Sequence, residues 1–325
     1  MRHAAAAGLL ATLVLLTAAC GDTRPGTAAY VGDGAVTVAE LQGQVGDVLA
    51  YRSGAGAVTA APAASGAATP PPAADVRTQV PAITQQVLSQ DVLRRLVDSA
   101  VRRTGFRVDE GQVSTQLATL DTPTLLAQPA QAYLTPDTLG ALVRDQLVLA
   151  QLGKQAWDGL AVTIDLVLAA DRGDAQAKAG QMATGADASA RVVAQAVAAG
   201  KQAQQGLALT PGGAASLATT PVFGTPEGGA VAFELTGQQS QAPQWYAARI
   251  VSRATDAPAP TTSGAVSAAQ ASIGDTLSLG LTLLPQLAGA PQITINPRYG
   301  QWDPTAQRVI AATDVPASVV VAPAG

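Results

Sequence analysis

The stretch VTIDLVL, residues 162–168, decides the fold class of this chain. Its β-branched and apolar residues alternate in the way that predicts a strand. The candidate elements that follow are alanine-rich helices at 174–183 and 186–199 and short strands at 220–223, 229–233 and 245–253. Residues 161–254 are therefore predicted to form a small α+β domain.

The region before this strand is predicted to be helical. Apolar residues recur every three or four positions in the segments 80–103, 109–120 and 135–157. Asp109 and Thr135 are typical helix caps, and Pro136 suits the first helical position. Each helix needs a partner for its apolar stripe, so an α-helical domain is expected.

A strand, a Gly-Asp-Gly turn and a further helix stand at the start of that domain, over residues 29–52. Thr37 and Glu40 have the spacing of a capping box, which predicts a helix beginning after Thr37. We expect residues 29–52 and 76–160 to form one domain. Residues 53–75 consist almost entirely of Ser, Gly, Ala, Thr and Pro, which predicts a disordered linker because little apolar surface is available to offset chain ordering.

The C-terminal region also begins with a linker, which is followed by predicted ordered elements. Residues 255–263 are a second Pro/Thr/Ala linker. The segment 264–310 is predicted to contain a helix at about 265–284, stopped by Pro285, and a strand at 292–295. Residues 311–325 are predicted to be a tail. The predicted fold class is thus mainly α with a smaller α+β part.

The first nineteen residues have the pattern of an export signal. A basic start, Met1-Arg2-His3, precedes the uncharged apolar stretch 4–19. That stretch is shorter than the roughly 20 residues that a membrane-spanning helix needs, and it fits a signal peptide over 1–19. The run Leu16-Thr17-Ala18-Ala19-Cys20 resembles the bacterial lipobox, in which the cysteine is lipidated. We expect lipid on Cys20, a tether over 20–28 and a location at the extracytoplasmic face of the cell membrane; the alternative is an ordinary secretory signal beside a chance cysteine.

Composition narrows the chemistry of the exported chain. Its only histidine, His3, is lost with the signal, and its only cysteine is Cys20. A Ser-His-Asp triad, cysteine catalysis and an ordinary zinc site therefore lack their residues. Removal of Arg2 leaves 18 basic residues against 23 acidic ones, or 18 − 23 = −5. We predict no cofactor, no metal and no nucleic-acid partner.

The order of elements resembles that of the SurA/PrsA-type extracytoplasmic chaperones. Residues 29–41 look like the first strand and helix of that family, and residues 93–113 look like its long helix and exit. The segment Asn296-Pro297-Arg298-Tyr299-Gly300 is similar to the terminal segment of actinobacterial lipoproteins in this group. The resemblance covers most of residues 28–310.

This resemblance implies two structural expectations. The C-terminal piece should return to complete a SurA-like N-terminal domain, so that 292–295 pairs with 29–31. The domain at 161–254 should be a degenerate parvulin-like module, because Asp165 and Arg249 fall near the positions of two histidines in a working parvulin. The alternative is a coincidental α+β block.

Three functions follow as hypotheses. The first is a lipid-anchored chaperone or foldase-like protein that binds unfolded or exported polypeptides without efficient catalysis. The second is a weakly active peptidyl-prolyl isomerase that uses Asp165. The third is a structural or scaffolding envelope lipoprotein. An apolar cleft between the helical domain and the α+β domain would favour the first.

Overall fold

The computed structural model describes residues 26–54, 78–235, 243–258, 265–316 and 318–323. It shows a mixed α+β protein. The signal peptide and Cys20 lie outside the described residues, as do most of the two predicted linkers and part of the tail.

The chain begins with the predicted strand, turn and helix. Strands β1 (Thr27–Val31) and β2 (Gly34–Thr37) form an antiparallel hairpin, and helix α1 covers Val38–Arg52. The predicted capping box is confirmed: the side chain of Thr37 accepts a hydrogen bond from the backbone of Glu40, and the Glu40 carboxylate accepts one from the backbone N–H of Thr37. These bonds satisfy donors that the first turn of a helix leaves unpaired.

The helices predicted next are all present. Helix α2 covers Val80–Thr104, α3 covers Glu110–Thr119 and α5 covers Pro136–Trp157, while a short helix α4 at Thr122–Ala127 was not foreseen. Asp109 caps α3 and Thr135 caps α5. The buried faces of α1, α2 and α5 meet in one apolar core.

Part of the C-terminal region packs on this helical part, as the family resemblance led us to expect. Helix α9 covers Ile273–Leu287, and strand β7 (Ile293–Ile295) pairs antiparallel with β1. Ala29 lies opposite Ile295 and Val31 opposite Ile293, which confirms the expected pairing of 292–295 with 29–31. The three-stranded sheet has the order β2-β1-β7.

The second part of the chain is built on a five-stranded antiparallel sheet. Its strands are β3 (Ala161–Ala169), β4 (Ala203–Leu209), β5 (Ala230–Leu235), β6 (Gln244–Ala254) and β10 (Val319–Val321), in the order β10-β5-β6-β3-β4. Helices α6 (Arg172–Met182) and α7 (Ala186–Ala198) cover one face. The other face packs on a short helix α8 (Ala215–Ala218), on the turn at Pro221–Gly224 and on α9. We call this part, 161–254 with β10, the α+β unit, and the rest of the described chain the helical unit. The division into separate domains stays a prediction.

Several predictions at this level were wrong. Residues 220–223 are not a strand: Pro221–Gly224 forms a 3₁₀ turn capped by Thr220, whose side chain accepts a hydrogen bond from Val222 N. The C-terminal helix begins later, because Ser272 caps it, and it passes through Pro285 to Leu287. Proline lacks only its own N–H, so the bonds of the next residues still close the last turn.

The tail prediction was also wrong in part, and some short strands were missed. Val319–Val321 adds β10 to the edge of the sheet beside β5. Strand β4 was not foreseen, and neither was the small hairpin of β8 (Gln301–Asp303) and β9 (Arg308–Ile310). Strands β8, β9 and β10 have three residues each, which is too few for an alternating pattern to stand out.

Helices α5 and α9 approach each other more closely than side chains would permit. A Cβ atom on Gly153 would overlap the carbonyl oxygen of Thr276, and one on Gly280 would overlap that of Leu149. The two glycines therefore set the distance between these helices. Because α9 contributes buried leucines to the cores of both units, this contact also joins the units.

Candidate functional site

A groove in the helical unit is the candidate site. It lies between the C-terminal half of α1, the first half of α2 and the start of α5, and it has a volume of about 510 Å³. That volume falls in the range of ligand pockets. We define the groove by its lining residues, which are Gln44, Asp47, Val48, Ala50, Tyr51, Val87, Gln90, Asp91, Arg94, Tyr133, Leu134, Thr135, Pro136, Asp137, Thr138 and Leu142.

The floor of the groove is apolar. Val48, Val87 and Leu134 are buried there, while Tyr51 and Leu142 are only half-buried at the rim. Val87, Asp91 and Arg94 recur at helical spacing, so α2 presents them along one face. The arrangement offers apolar contact at depth and polar groups above it.

One end of the groove is fixed by Arg52, a residue that the sequence analysis did not single out. Its guanidinium donates to the carbonyl oxygens of Ala132 (3.2 Å) and Gln131 (2.7 Å). These bonds tie the last turn of α1 to the segment that carries Tyr133 and Leu134. Burial lowers the pKa of Arg52 and raises that of Tyr133.

The opposite wall is the start of α5. Thr135 and Thr138 form a reciprocal cap: Thr135 N donates to Thr138 Oγ1 (2.9 Å), and Thr138 N donates to Thr135 Oγ1 (3.3 Å). Pro136 occupies the first helical position, where its fixed φ suits the helix. The wall is thus held by local bonds at the helix start that the sequence predicted; the part of Thr138 in them was not foreseen.

Carboxylates distinguish the groove electrostatically. Asp47 and Asp137 are exposed at its rim, while Asp91 is half-buried and accepts a hydrogen bond from Gln44 Nε2 at 3.3 Å. Burial raises the pKa of Asp91, and the positive charges of Arg94 and Arg95 only partly oppose that effect. No cation lies within ion-pair distance of Asp91 in the described part of the chain.

Arg94, the one cation lining the groove, is engaged from behind. Its Nε lies 3.5 Å from Oδ2 of Asp145, a distance that is long for a hydrogen bond. Asp145 is only 2% exposed, and burial raises its pKa to about 6, more than Arg94 lowers it. The sequence contained a signal for this carboxylate, because Asp145 shares the apolar stripe of α5 with Leu149 and Leu152.

A second concavity, which we call the cleft, separates the two units. It has a volume of about 280 Å³ and its walls come from α5, α9 and the end of β6. Its apolar lining residues are Leu152, Ala156, Leu160, Leu283 and Leu287. This is the apolar cleft that the first functional hypothesis anticipated.

Asp165 and Arg249, the two predicted degenerate positions, lie directly opposite each other on β3 and β6. Both side chains point toward the face covered by α6 and α7, because cross-strand partners share a face. Asp165 is 3% exposed and accepts hydrogen bonds from Ser189 Oγ of α7 (2.6 Å) and from Gly206 N of β4 (3.0 Å). The carboxylate therefore fastens a helix and a neighbouring strand to β3.

Although they lie opposite each other, Asp165 and Arg249 do not form an ion pair. No side-chain nitrogen of Arg249 lies within 4.0 Å of an Asp165 carboxylate oxygen, and the buried Nε of Arg249 has no hydrogen-bond partner among the described residues. Gly206, and not Arg249, bonds to the Asp165 carboxylate. Its φ of +67° turns its N–H toward Asp165, in a conformation that favours glycine.

The described residues contain no group of three or more His, Cys, Asp or Glu side chains placed to hold a metal ion. No described helix is long and apolar enough to cross a membrane.

Comparison with known proteins gives little. No family model matches this chain, and neither does any curated protein. Among solved structures, it is similar to the foldase protein PrsA from Streptococcus pneumoniae strain Canada MDR_19A, with 12% identity over 71% of this chain and 92% of that one, and a TM-score of 0.22. A TM-score this low shows too little shared geometry to carry function from one protein to the other.

Proposed function

We propose that this protein is a lipid-anchored extracytoplasmic chaperone that binds segments of exported polypeptides in the groove of its helical unit. The apolar floor of the groove carries this proposal. An extended segment can place alternate side chains on the apolar floor of the groove. Its polar backbone then lies beside the polar groups at the rim. The cleft between the units supplies a further apolar surface of the same kind.

Efficient prolyl isomerisation is not part of the proposal. Asp165 is engaged by Ser189 and Gly206 and covered by α7, so its carboxylate faces the protein interior. An isomerase must twist an amide that has partial double-bond character, which calls for groups that reach the substrate. We expect the chain to accelerate isomerisation of a proline peptide far less than an active parvulin does; a rate near that of a parvulin, lost in Asp165→Ala, would favour the enzyme hypothesis instead.

The membrane anchor is proposed from the Leu16–Cys20 motif alone. Replacing Cys20 with Ser should leave an uncleaved or soluble precursor, which cell fractionation would detect. Processing at residue 20 and membrane extraction unchanged in Cys20→Ser would rule out lipid on this residue.

Site-specific crosslinking tests the groove as the binding surface. A photoreactive amino acid is placed at Gln90, which lines the groove, or at Val197. Val197 is 57% exposed on α7 in the α+β unit and does not line the groove. The probe is a reduced, carboxymethylated secretory protein that cannot fold. We expect adducts from position 90 and few from position 197. Equal yields, or no adducts at all, would contradict the proposal.

A further inference from the structure

The charges of the groove select among polypeptide segments. We propose that the groove prefers segments in which a lysine or arginine stands beside apolar residues, with the cation at Asp91 and the apolar side chains on the floor. This inference rests on the proposed function and names its substrate class. Among the described residues that line the groove, the carboxylates are Asp47, Asp91 and Asp137, and the cation is Arg94.

Two of these charges are already compensated within the protein. Asp145 lies 3.5 Å behind Arg94 and neutralises it in part. Asp137 stands in the first turn of α5, where a negative charge offsets the partial positive charge of the helix N-terminus. Asp47 and Asp91 remain, and neither has a cation within ion-pair distance in the described part of the chain.

Asp91 is the more consequential of the two. It is half-buried, and among the described residues its hydrogen bond comes from the neutral amide of Gln44 at 3.3 Å. A carboxylate withdrawn from water without a cationic partner is held at a free-energy cost. A ligand cation that reaches Asp91 removes that cost, whereas a cation at a fully exposed carboxylate gains little.

The apolar floor lies close enough to be used at the same time. Val87 is one helical turn before Asp91 on α2, and Val48 and Leu134 complete the floor. A segment with apolar side chains next to a basic one therefore satisfies both parts of the groove. A segment bearing glutamate meets like charge instead and should be disfavoured.

The experiment compares two fluorescent peptides of twelve residues by anisotropy. Both alternate leucine and serine; one carries two lysines and the other has two glutamates at the same positions. The protein is the full chain purified in detergent. We expect the lysine peptide to bind at least tenfold more tightly, with an affinity that falls as salt is raised.

Two variants localise the preference. Asp91→Asn should weaken the lysine peptide about three- to tenfold and leave the glutamate peptide unchanged or tighter. Asp33→Asn is the control, because it removes an exposed carboxylate of the helical unit that does not line the groove, and it should leave both affinities unchanged.

The outcomes separate this inference from the function on which it rests. Equal binding of both peptides, unaffected by Asp91→Asn, would overturn the charge preference while leaving polypeptide binding intact. An equal loss for both peptides in Asp91→Asn would also overturn it, since a change of shape and not of charge would then be responsible. No binding of either peptide would overturn both.

Discussion

The two units of the protein each bury an aspartate, and they accommodate it differently. In the α+β unit, the Asp165 carboxylate accepts one hydrogen bond on each oxygen, from Ser189 and Gly206. In the helical unit, Asp145 faces Arg94 at 3.5 Å, and its buried Oδ2 has no hydrogen bond in the described part of the chain.

The difference teaches where the protein keeps its polar groups fixed and where it leaves them unsatisfied. A buried carboxylate with both oxygens bonded fastens the elements around it, because breaking either bond leaves a polar atom without a partner. A carboxylate held only by a long ion pair is desolvated without full compensation. That second arrangement lies directly behind the groove proposed as the binding site.

The largest effect is expected where the two units meet. Gly280→Ala should lower the free energy of unfolding by about 3 kcal/mol or more, because the new methyl group would overlap the carbonyl of Leu149 and force α5 and α9 apart. Urea unfolding followed by circular dichroism measures it. If the contact joins the two units, both units of the variant should unfold at a lower urea concentration than in the parent.

Gly46→Ala is the control for that substitution. Gly46 is exposed in α1, and a Cβ atom there would meet nothing within 4 Å. Alanine is the better helix former by about 1 kcal/mol, so this variant should be slightly more stable than the parent. Equal stability of both variants would remove the argument that Gly280 sets the helix distance.

A smaller loss is expected from Asp165→Ala, which tests the first half of the comparison. The substitution leaves Ser189 Oγ and Gly206 N without their acceptor inside the protein and should cost about 2 to 3 kcal/mol. Hydrogen exchange should show the loss in β3, β4 and α7 before it appears in the helical unit. A variant as stable as the parent would show that these bonds do not fasten the sheet to α7.

The smallest effect concerns Asp145 and depends on pH. Burial raises its pKa from 3.8 to about 6, so the folded protein binds this proton more readily than the unfolded chain does. The contribution of Asp145 is therefore most favourable below about pH 4, falls as pH rises to about 6, and is constant above that. We expect a decline of roughly 2 kcal/mol between pH 4 and pH 7. The pKa of about 6 already includes the opposing charges of Arg94 and Arg144 and the reinforcing charge of Asp98.

The check is the difference between the parent and Asp145→Asn in unfolding free energy at pH 4, 5, 6 and 7. Other carboxylates titrate in both proteins, so only the difference reports on Asp145. The parent should lose stability relative to the variant over that window. A difference that stays constant with pH would mean that the carboxyl group titrates normally and that the contrast with Asp165 is not electrostatic.

The sequence predicted local features well, for physical reasons that particular residues show. Thr37 and Glu40 lie three positions apart, so their capping box depends on neighbours alone. The pairing of β7 with β1 came from a family resemblance and not from any local pattern, since nothing in residues 292–295 names a partner strand.

Features that depend on distant neighbours were missed. The proline at 221 permits a strand end or a turn, and only the packed surroundings of Val222 and Phe223 select the 3₁₀ turn. The groove joins α1, α2 and α5, and Asp91 has no unusual spacing within its own helix. The hydrogen bond from Gly206 N to Asp165 requires a positive φ at Gly206, which lies on β4, a strand that the sequence did not reveal.

The β1–β7 pairing also bears on the order in which the protein is made. Asn296 Nδ2 donates to the carbonyl oxygen of Thr27, a residue 269 positions earlier. A polypeptide leaves the ribosome N-terminus first, so β1 must wait for nearly the whole chain before its second neighbour exists. Contacts of such separation form slowly, because the intervening loop must close before they contribute. Until then one edge of the first hairpin has no partner strand, and that open edge can pair with another chain.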